Sequence, residues 1–63
     1  MKPKDKEYAA GLEAMTDEQL MKEAQKNLVE EVHWKLDLIV DECEQRKKPH
    51  IIDEVYIWYS LGT

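Results

Sequence analysis

The chain has 63 residues, a formal net charge of −5 and one cysteine. This length allows one small domain with a marginal core of its own, and a single cysteine excludes an internal disulfide. We therefore expect added stability from self-association, as in a homodimer, or from binding a larger protein. The acidic excess lies between residues 30 and 44 and disfavours direct binding of nucleic acid phosphates.

The sequence shows no recognisable targeting or membrane signal, which favours the cytoplasm. The sequence has no apolar run of about 20 residues, the length that spans a bilayer. Its lysine-containing start is not followed by the apolar core of a signal peptide. We therefore expect a soluble cytoplasmic protein with no membrane contact and no cofactor.

The N-terminal arm, residues 1–15, has the spacing of a short helix. Charged residues open it, and Tyr8, Leu12 and Met15 then follow at helical intervals. Gly11 falls inside this pattern and costs about 1 kcal/mol relative to alanine. We expect the arm to fold only against another element, with its first few residues frayed.

Residues 16–48 predict one long central helix. Thr16 and Gln19 have the spacing of a capping box, and Met15 and Leu20 that of a hydrophobic staple. Basic residues 46–48 suit the negative end of the helix dipole, just before Pro49 disfavours continuation. Seven apolar residues recur at intervals of three or four along this helix: Leu20, Ala24, Leu28, Val32, Leu36, Ile39 and Cys43.

A break near Asn27 is the alternative to a continuous helix. Asn27 is the poorest helix former in the first half, and a turn there would fold the helix back on itself as a hairpin. Neither glycine nor proline marks such a turn. The continuous helix is therefore favoured.

The C-terminal segment, residues 49–63, is the most apolar and aromatic part of the chain. Asp53 and Glu54 suit a first helical turn, and Gly62 suits a helix stop. A strand is the alternative, but it would have to pair with another molecule because no other segment alternates with period two. We favour a helix, so the predicted fold class is all-α: a long central helix with a short N-terminal helix and a C-terminal aromatic helix. Helical spacing places four side chains on one side: Ile52, Val55, Tyr56 and Tyr59.

Few residues could carry chemistry, and we do not expect an enzyme. Glu30 and His33 form a Glu-x-x-His pair of the kind that di-iron bundles use twice. A metal-binding helical bundle, with the second pair supplied by a symmetric dimer, is therefore one alternative. His50 is expected to be a junction residue, and Cys43 a small buried hydrophobic residue.

The large aromatic residues favour a binding protein. Trp and Tyr are enriched at binding hot spots, and this chain has more of them than a small core needs. Burial of Trp34 under the C-terminal segment is the alternative. Six residues are candidate partner contacts: Trp34, Leu36, Ile39, Tyr56, Trp58 and Tyr59. A second set forms an expected acidic face that steers toward a basic surface: Glu30, Glu31, Asp37, Asp41, Glu42 and Glu44.

The predicted function is regulation by occlusion. A small acidic helical protein suits an inhibitor or regulator that binds and covers a larger target protein, including those that phages and mobile elements encode. The alternative is a structural subunit of a symmetric helical assembly with no separate target.

Part of the sequence resembles a known family. The matching positions are Thr16-Asp17-Glu18, Leu20, Leu36, Leu38, Ile39, Glu42, Arg46 and His50-Ile51-Ile52. Their order is similar to that of the Sda-type sporulation-checkpoint inhibitors. The resemblance implies a helical hairpin that binds a sensor histidine kinase and blocks its autophosphorylation. It also implies that Leu20, Leu36 and Ile39 are core or contact positions, and it implies no catalytic residue.

Overall fold

The computed structural model describes residues 3–62, which form four α-helices. The predicted all-α class is confirmed, as is the helical prediction for the C-terminal segment. The strand alternative is wrong, because no strand occurs within residues 3–62. Met1 and Lys2, which were expected to fray, lie outside the described residues. No helix in this range has both the length and the apolarity needed to cross a bilayer. The helices are α1 (Pro3–Glu13), α2 (Asp17–Val29), α3 (His33–Gln45) and α4 (His50–Ser60).

The predicted continuous helix over residues 16–48 is wrong, because a three-residue turn separates α2 from α3. Glu31 adopts a left-handed backbone with φ 58°. The Val32 N–H donates to the Asn27 carbonyl at 2.9 Å, and the Glu31 N–H donates to the Leu28 carbonyl at 3.3 Å. This pair of bonds is a Schellman motif, which ends a helix by satisfying its last carbonyls. The hairpin alternative is therefore confirmed, but its turn lies at residues 30–32, and Asn27, where the break was expected, stays within α2.

α3 ends in the same way. Lys47 has φ 60°, its N–H donates to the Glu44 carbonyl, and the Lys48 N–H donates to the Cys43 carbonyl, both at 2.9 Å. Pro49 follows and acts as the N-cap residue of α4. Each of the two turns thus places a charged, non-glycine residue in the left-handed region, at a cost of about 1–2 kcal/mol.

The Glu31→Gly substitution tests the hairpin, because the turn and a continuous helix predict opposite changes in the free energy of unfolding. Glycine adopts the left-handed conformation without strain, so we expect the free energy of unfolding to rise by about 0.5–1 kcal/mol. In a continuous helix the same substitution would lower it by about 1 kcal/mol. Urea denaturation followed by circular dichroism distinguishes the two signs. Loss of stability in Glu31→Gly would contradict the turn.

The start of α2 agrees with the sequence prediction. The Gln19 N–H donates to Thr16 Oγ1 at 3.1 Å, and the Thr16 N–H donates to Gln19 Oε1 at 2.9 Å. Met15 is half-buried and Leu20 is fully buried, as a hydrophobic staple requires. These local bonds position α2 independently of the rest of the fold.

The hairpin of α2 and α3 forms the centre of the molecule, with α1 packed mainly on α3 and α4 mainly on α2. α1 runs parallel to α3, because Lys4 and Tyr8 meet Trp34 near the start of both helices and Leu12 meets Arg46 near their ends. α2 packs between α3 and α4, and the molecule measures 35 × 24 × 15 Å. α1 and α4 are therefore the two edges of a flat molecule.

The hairpin explains the core. Folding α2 against α3 lets the two halves of the predicted apolar stripe face each other, which a straight helix could not do. Leu28 is half-buried against this core, and Val32 lies half-buried in the turn. Eight apolar residues from all four helices are buried: Leu12, Leu20, Ala24, Leu36, Ile39, Cys43, Ile51 and Val55.

Arg46 joins three helices at one end of the molecule. Its Nη2 donates to the carbonyls of Leu12 and Glu13, at 2.9 and 3.3 Å, at the end of α1. Its Nη1 donates to Asp17 at 3.0 Å, in the first turn of α2, and its Nε donates to Glu42 at 2.8 Å on α3. One guanidinium thus satisfies terminal carbonyls and two carboxylates together, which its planar fork of donors permits and a lysine would not.

Candidate functional site

Four large apolar side chains are exposed along α4 and just after it. The exposed fractions are 49% for Tyr56, 58% for Ile57, 41% for Tyr59 and 81% for Leu61. Residues 55–61 include no charged residue. Single exposed apolar residues are ordinary, but four within six residues make this end of the chain a candidate interaction site. We call these four residues the outer face of α4; Ile57 and Tyr59 project from different sides of the helix, and Leu61 follows its last residue.

A groove lies beside this face, between α3 and α4. Its volume is about 210 Å³, and five residues line it: Val40, Glu44, Pro49, Ile52 and Asp53. Val40 and Ile52 are half-buried and form an apolar floor, while the exposed carboxylates of Glu44 and Asp53 come from the two different helices. The groove is open because α4 packs mainly on α2 and has less contact with α3. It offers both an apolar strip and negative charge on either side.

Three of the predicted acidic residues form a stripe along α3. Asp37, Asp41 and Glu44 follow one another at intervals of four and three, so they share one side of the helix, and all three are exposed. Glu44 lies on the wall of the groove, and the stripe extends from it toward the start of α3. The α3 side of the groove is therefore acidic at Glu44, and the negative charge continues along α3 beyond the groove.

The other predicted acidic residues lie elsewhere. Glu30 and Glu31 are exposed in the turn between α2 and α3. The prediction for Glu42 is wrong, because its side chain is only 12% exposed and is paired with Arg46. Sequence reasoning missed Asp53 as a groove residue, because only the packing of α4 beside α3 brings it opposite Glu44.

Two of the six predicted partner contacts are wrong. Leu36 is 6% exposed and Ile39 is fully buried, because both belong to the apolar core. They are core residues, as is Leu20. Of the aromatic candidates on α4, Tyr56 and Tyr59 lie on its outer face. Trp58 is half-buried, one turn after the buried Val55.

Trp34 lies in a second aromatic cluster, between α1 and α3. Its ring packs edge-on against Tyr8 with centroids 5.6 Å apart. Lys4 Nζ and Lys35 Nζ lie 5.4 and 5.6 Å from the Trp34 centroid, which is cation–π range. With Glu7 these residues line a shallow groove of about 320 Å³. The alternative that Trp34 is buried under the C-terminal segment is wrong, because the ring is half-buried against Tyr8 and Lys4 of α1.

A buried polar network joins α1 to α2. Asn27 is 2% exposed, and its Nδ2 donates to the Tyr8 hydroxyl at 3.2 Å, the Glu23 carbonyl at 2.8 Å and Glu23 Oε2 at 3.2 Å. The Tyr8 hydroxyl in turn donates to Glu23 Oε2. This bond from Tyr8, more than the one from Asn27, holds the pKa of Glu23 below its usual value. Burial, followed by this bond, raises the pKa of Tyr8. The network therefore keeps Glu23 charged and Tyr8 protonated.

The structure removes the basis of the metal-binding alternative. Glu30 is the C-cap residue of α2 and His33 is the first residue of α3, so the turn separates them and they do not share a helical face. Within residues 3–62, no group of three or more His, Cys, Asp or Glu side chains could hold a metal ion. His50 is exposed at the start of α4.

Cys43 is a core residue. It is fully buried, and this burial raises the pKa of its thiol. The thiol is therefore protonated at neutral pH and packs as a small apolar group. The prediction of a small buried hydrophobic residue is confirmed.

No protein-family model, curated protein or solved structure matches this chain. The resemblance to the Sda-type inhibitors therefore stays a prediction. The molecule's most prominent functional features are the outer face of α4 and the acidic groove beside it.

Proposed function

We propose that this chain is a protein-binding module that inhibits or regulates a larger target protein by covering part of its surface. The observation that supports the proposal is the outer face of α4, where Tyr56, Ile57, Tyr59 and Leu61 are exposed although the core beneath them is closed. Burying apolar area contributes about 25 cal/mol per Å². Aromatic residues at the centre of such a face are frequent hot spots.

The position of α4 suits occlusion. As an edge helix of a flat molecule, it can dock on a target without any movement of the other three helices. The docked module then shields the target with its own bulk, 35 × 24 Å across. Regulation by occlusion needs no catalytic group on this chain.

Site-specific photo-cross-linking tests the proposal. In one variant of the full chain a photoreactive amino acid replaces Ile57. The matched control carries the same amino acid in place of Glu18, which is exposed on α2. Both variants are expressed in the cells that encode the protein. We expect a discrete adduct from position 57 and none from position 18. After mass spectrometry identifies the partner, its purified activity should change when the chain is added. The Ile57→Ala variant should change that activity less.

Two outcomes would contradict the proposal. Equal adducts from both positions would mean that the outer face has no preference for a partner. An adduct of two copies, together with a stable oligomer in light scattering over a wide concentration range, would instead assign the outer face to self-association. That result would favour the structural-subunit alternative.

A further inference from the structure

Building on the proposed function, we propose that the groove between α3 and α4 binds a basic amphipathic helix of the target. Apolar grooves commonly receive an amphipathic helix through side chains spaced at i, i+3, i+4 and i+7. Here the apolar strip begins with Val40, Pro49 and Ile52. Tyr56, one helical turn after Ile52 and 49% exposed, continues it along α4.

The groove opens onto α4, and the length of α4 sets the length of the partner helix. α4 has 11 residues, which corresponds to about 16 Å of helix axis. A partner helix of about three turns therefore fits beside it and would place two or three apolar side chains on the strip. The outer face of α4 is continuous with the groove through Tyr56, so one target could contact both.

The charge around the groove selects the partner. Four exposed carboxylates, which we call the groove acids, lie in the groove or continue from it: Glu44 and Asp53 line the groove, and Asp41 and Asp37 follow Glu44 along the same side of α3. In the described part of the chain, the ion pairs involve Asp17, Glu18 and Glu42, and the groove acids take part in none of them.

Few basic groups could neutralise the groove acids from within the chain. Arg46 and Lys48 are paired with Asp17. Lys35 lies over the ring of Tyr8, on the α1 side of α3. Within residues 3–62, the basic residues near Pro49 that lie outside these contacts are Lys47 and His50, and both are exposed. The charge that complements this site is therefore positive and comes from another molecule.

A partner helix with an apolar stripe flanked on both sides by Lys or Arg matches the apolar strip of the groove and the carboxylates beside it. The aliphatic stems of those side chains can cover the apolar strip while their charged ends reach the carboxylates. A second copy of this chain does not match, because its own α4 would bring Asp53 and Glu54 against the groove acids. The phosphates of a nucleic acid would be repelled for the same reason.

A pair of synthetic peptides tests this inference. One is a labelled amphipathic helix of about 18 residues with Leu on one stripe and Lys on both flanks, and the other has Glu in place of every Lys. Fluorescence anisotropy at about 0.15 M salt measures Kd for the full chain. We expect the Lys peptide to bind and the Glu peptide not to bind. Amide NMR shifts should change most at Val40, Ile52 and Tyr56.

Charge-reversal variants distinguish the groove from general attraction to an acidic protein. Glu44→Lys with Asp53→Lys changes the groove, while Glu13→Lys with Glu18→Lys makes the same change in net charge on exposed positions of α1 and α2. We expect the groove variant to raise Kd at least about tenfold and the control variant to raise it less than about threefold. The neutral pair Glu44→Gln and Asp53→Asn gives the comparison if the reversed variant is unfolded, as judged by circular dichroism.

Equal losses in the groove and control variants, or equal binding of the Lys and Glu peptides, would overturn the inference. Its failure can be separated from failure of the proposed function. If position 57 still cross-links a partner while the groove variants leave peptide binding unchanged, the module binds its target through the outer face alone. If position 57 captures no partner, the proposed function fails whatever the peptides show.

Discussion

Replacing Ile39 by alanine is expected to unfold a large part of the protein population. Ile39 on α3 is fully buried in the apolar core. Truncating a buried isoleucine to alanine costs about 2–5 kcal/mol, because the transfer free energy of the removed atoms is lost and a cavity remains. A domain of this length has a total stability of only about 3–9 kcal/mol. Urea denaturation followed by circular dichroism should show a much lower midpoint for Ile39→Ala.

The same chemical change at an exposed position is the control. Ile57 is 58% exposed on the outer face of α4, so Ile57→Ala should change the free energy of unfolding by no more than about 0.5 kcal/mol. Similar losses in the two variants would mean that the core is not where the structure places it. A folded Ile57→Ala variant is also the one needed for the target assay, because it removes part of the outer face and leaves the core intact.

The sequence predicts those parts of the fold that depend on local chemistry. The capping box of Thr16 and Gln19 involves neighbouring residues, so its pattern is visible in the sequence and both of its bonds form. The helical spacing of the first 15 and last 15 residues is local in the same sense. Gly11 did not prevent α1, because Tyr8 and Leu12 pack against the rest of the core.

The turn at residues 30–32 could not be predicted with the usual signals. Glycine or proline normally marks such a turn, and here Glu31 occupies the left-handed position instead. The apolar spacing of four also continues through the turn, from Leu28 to Val32 to Leu36. In one straight helix the two halves of the apolar stripe could not bury each other. Burying them against each other in the hairpin stabilises the fold by more than the strain at Glu31 costs.

The candidate site was only partly predictable for a related reason. Tyr56 and Tyr59 were named as partner contacts because of their residue type. Ile57 and Leu61 were not, since nothing in the sequence shows that α4 lies at an edge of the molecule. Glu44 and Asp53 lie across the groove from each other because α4 packs beside α3, and no local sequence pattern predicts this.

Replacing Asn27 by aspartate is expected to be as damaging as the core truncation, for an electrostatic reason. The substitution removes all three hydrogen bonds donated by Asn27 Nδ2 and places a carboxylate in a 2% exposed site, next to the carboxylate of Glu23. Leaving a buried charge without a partner costs about 3–5 kcal/mol. Gln45→Glu is the control, because it makes the same amide-to-carboxylate change at an exposed position of α3 and should cost no more than about 0.5 kcal/mol.

The pH dependence of Asn27→Asp separates electrostatic repulsion from simple loss of packing. In the unmodified chain the pKa of Glu23 is lowered on folding, chiefly by the bond from Tyr8, so acidification through that pKa removes stability. In Asn27→Asp, burial and the like charge should raise the pKa of the carboxylate pair above the ordinary values of about 4. Protonation of the folded state then recovers stability as the pH falls from 7 toward 5. The difference in free energy of unfolding between the unmodified chain and Asn27→Asp, measured by urea denaturation, should therefore be smaller at pH 5 than at pH 7. If this difference did not change with pH, the introduced carboxylate would be in contact with solvent, and water would have access to the network around Asn27.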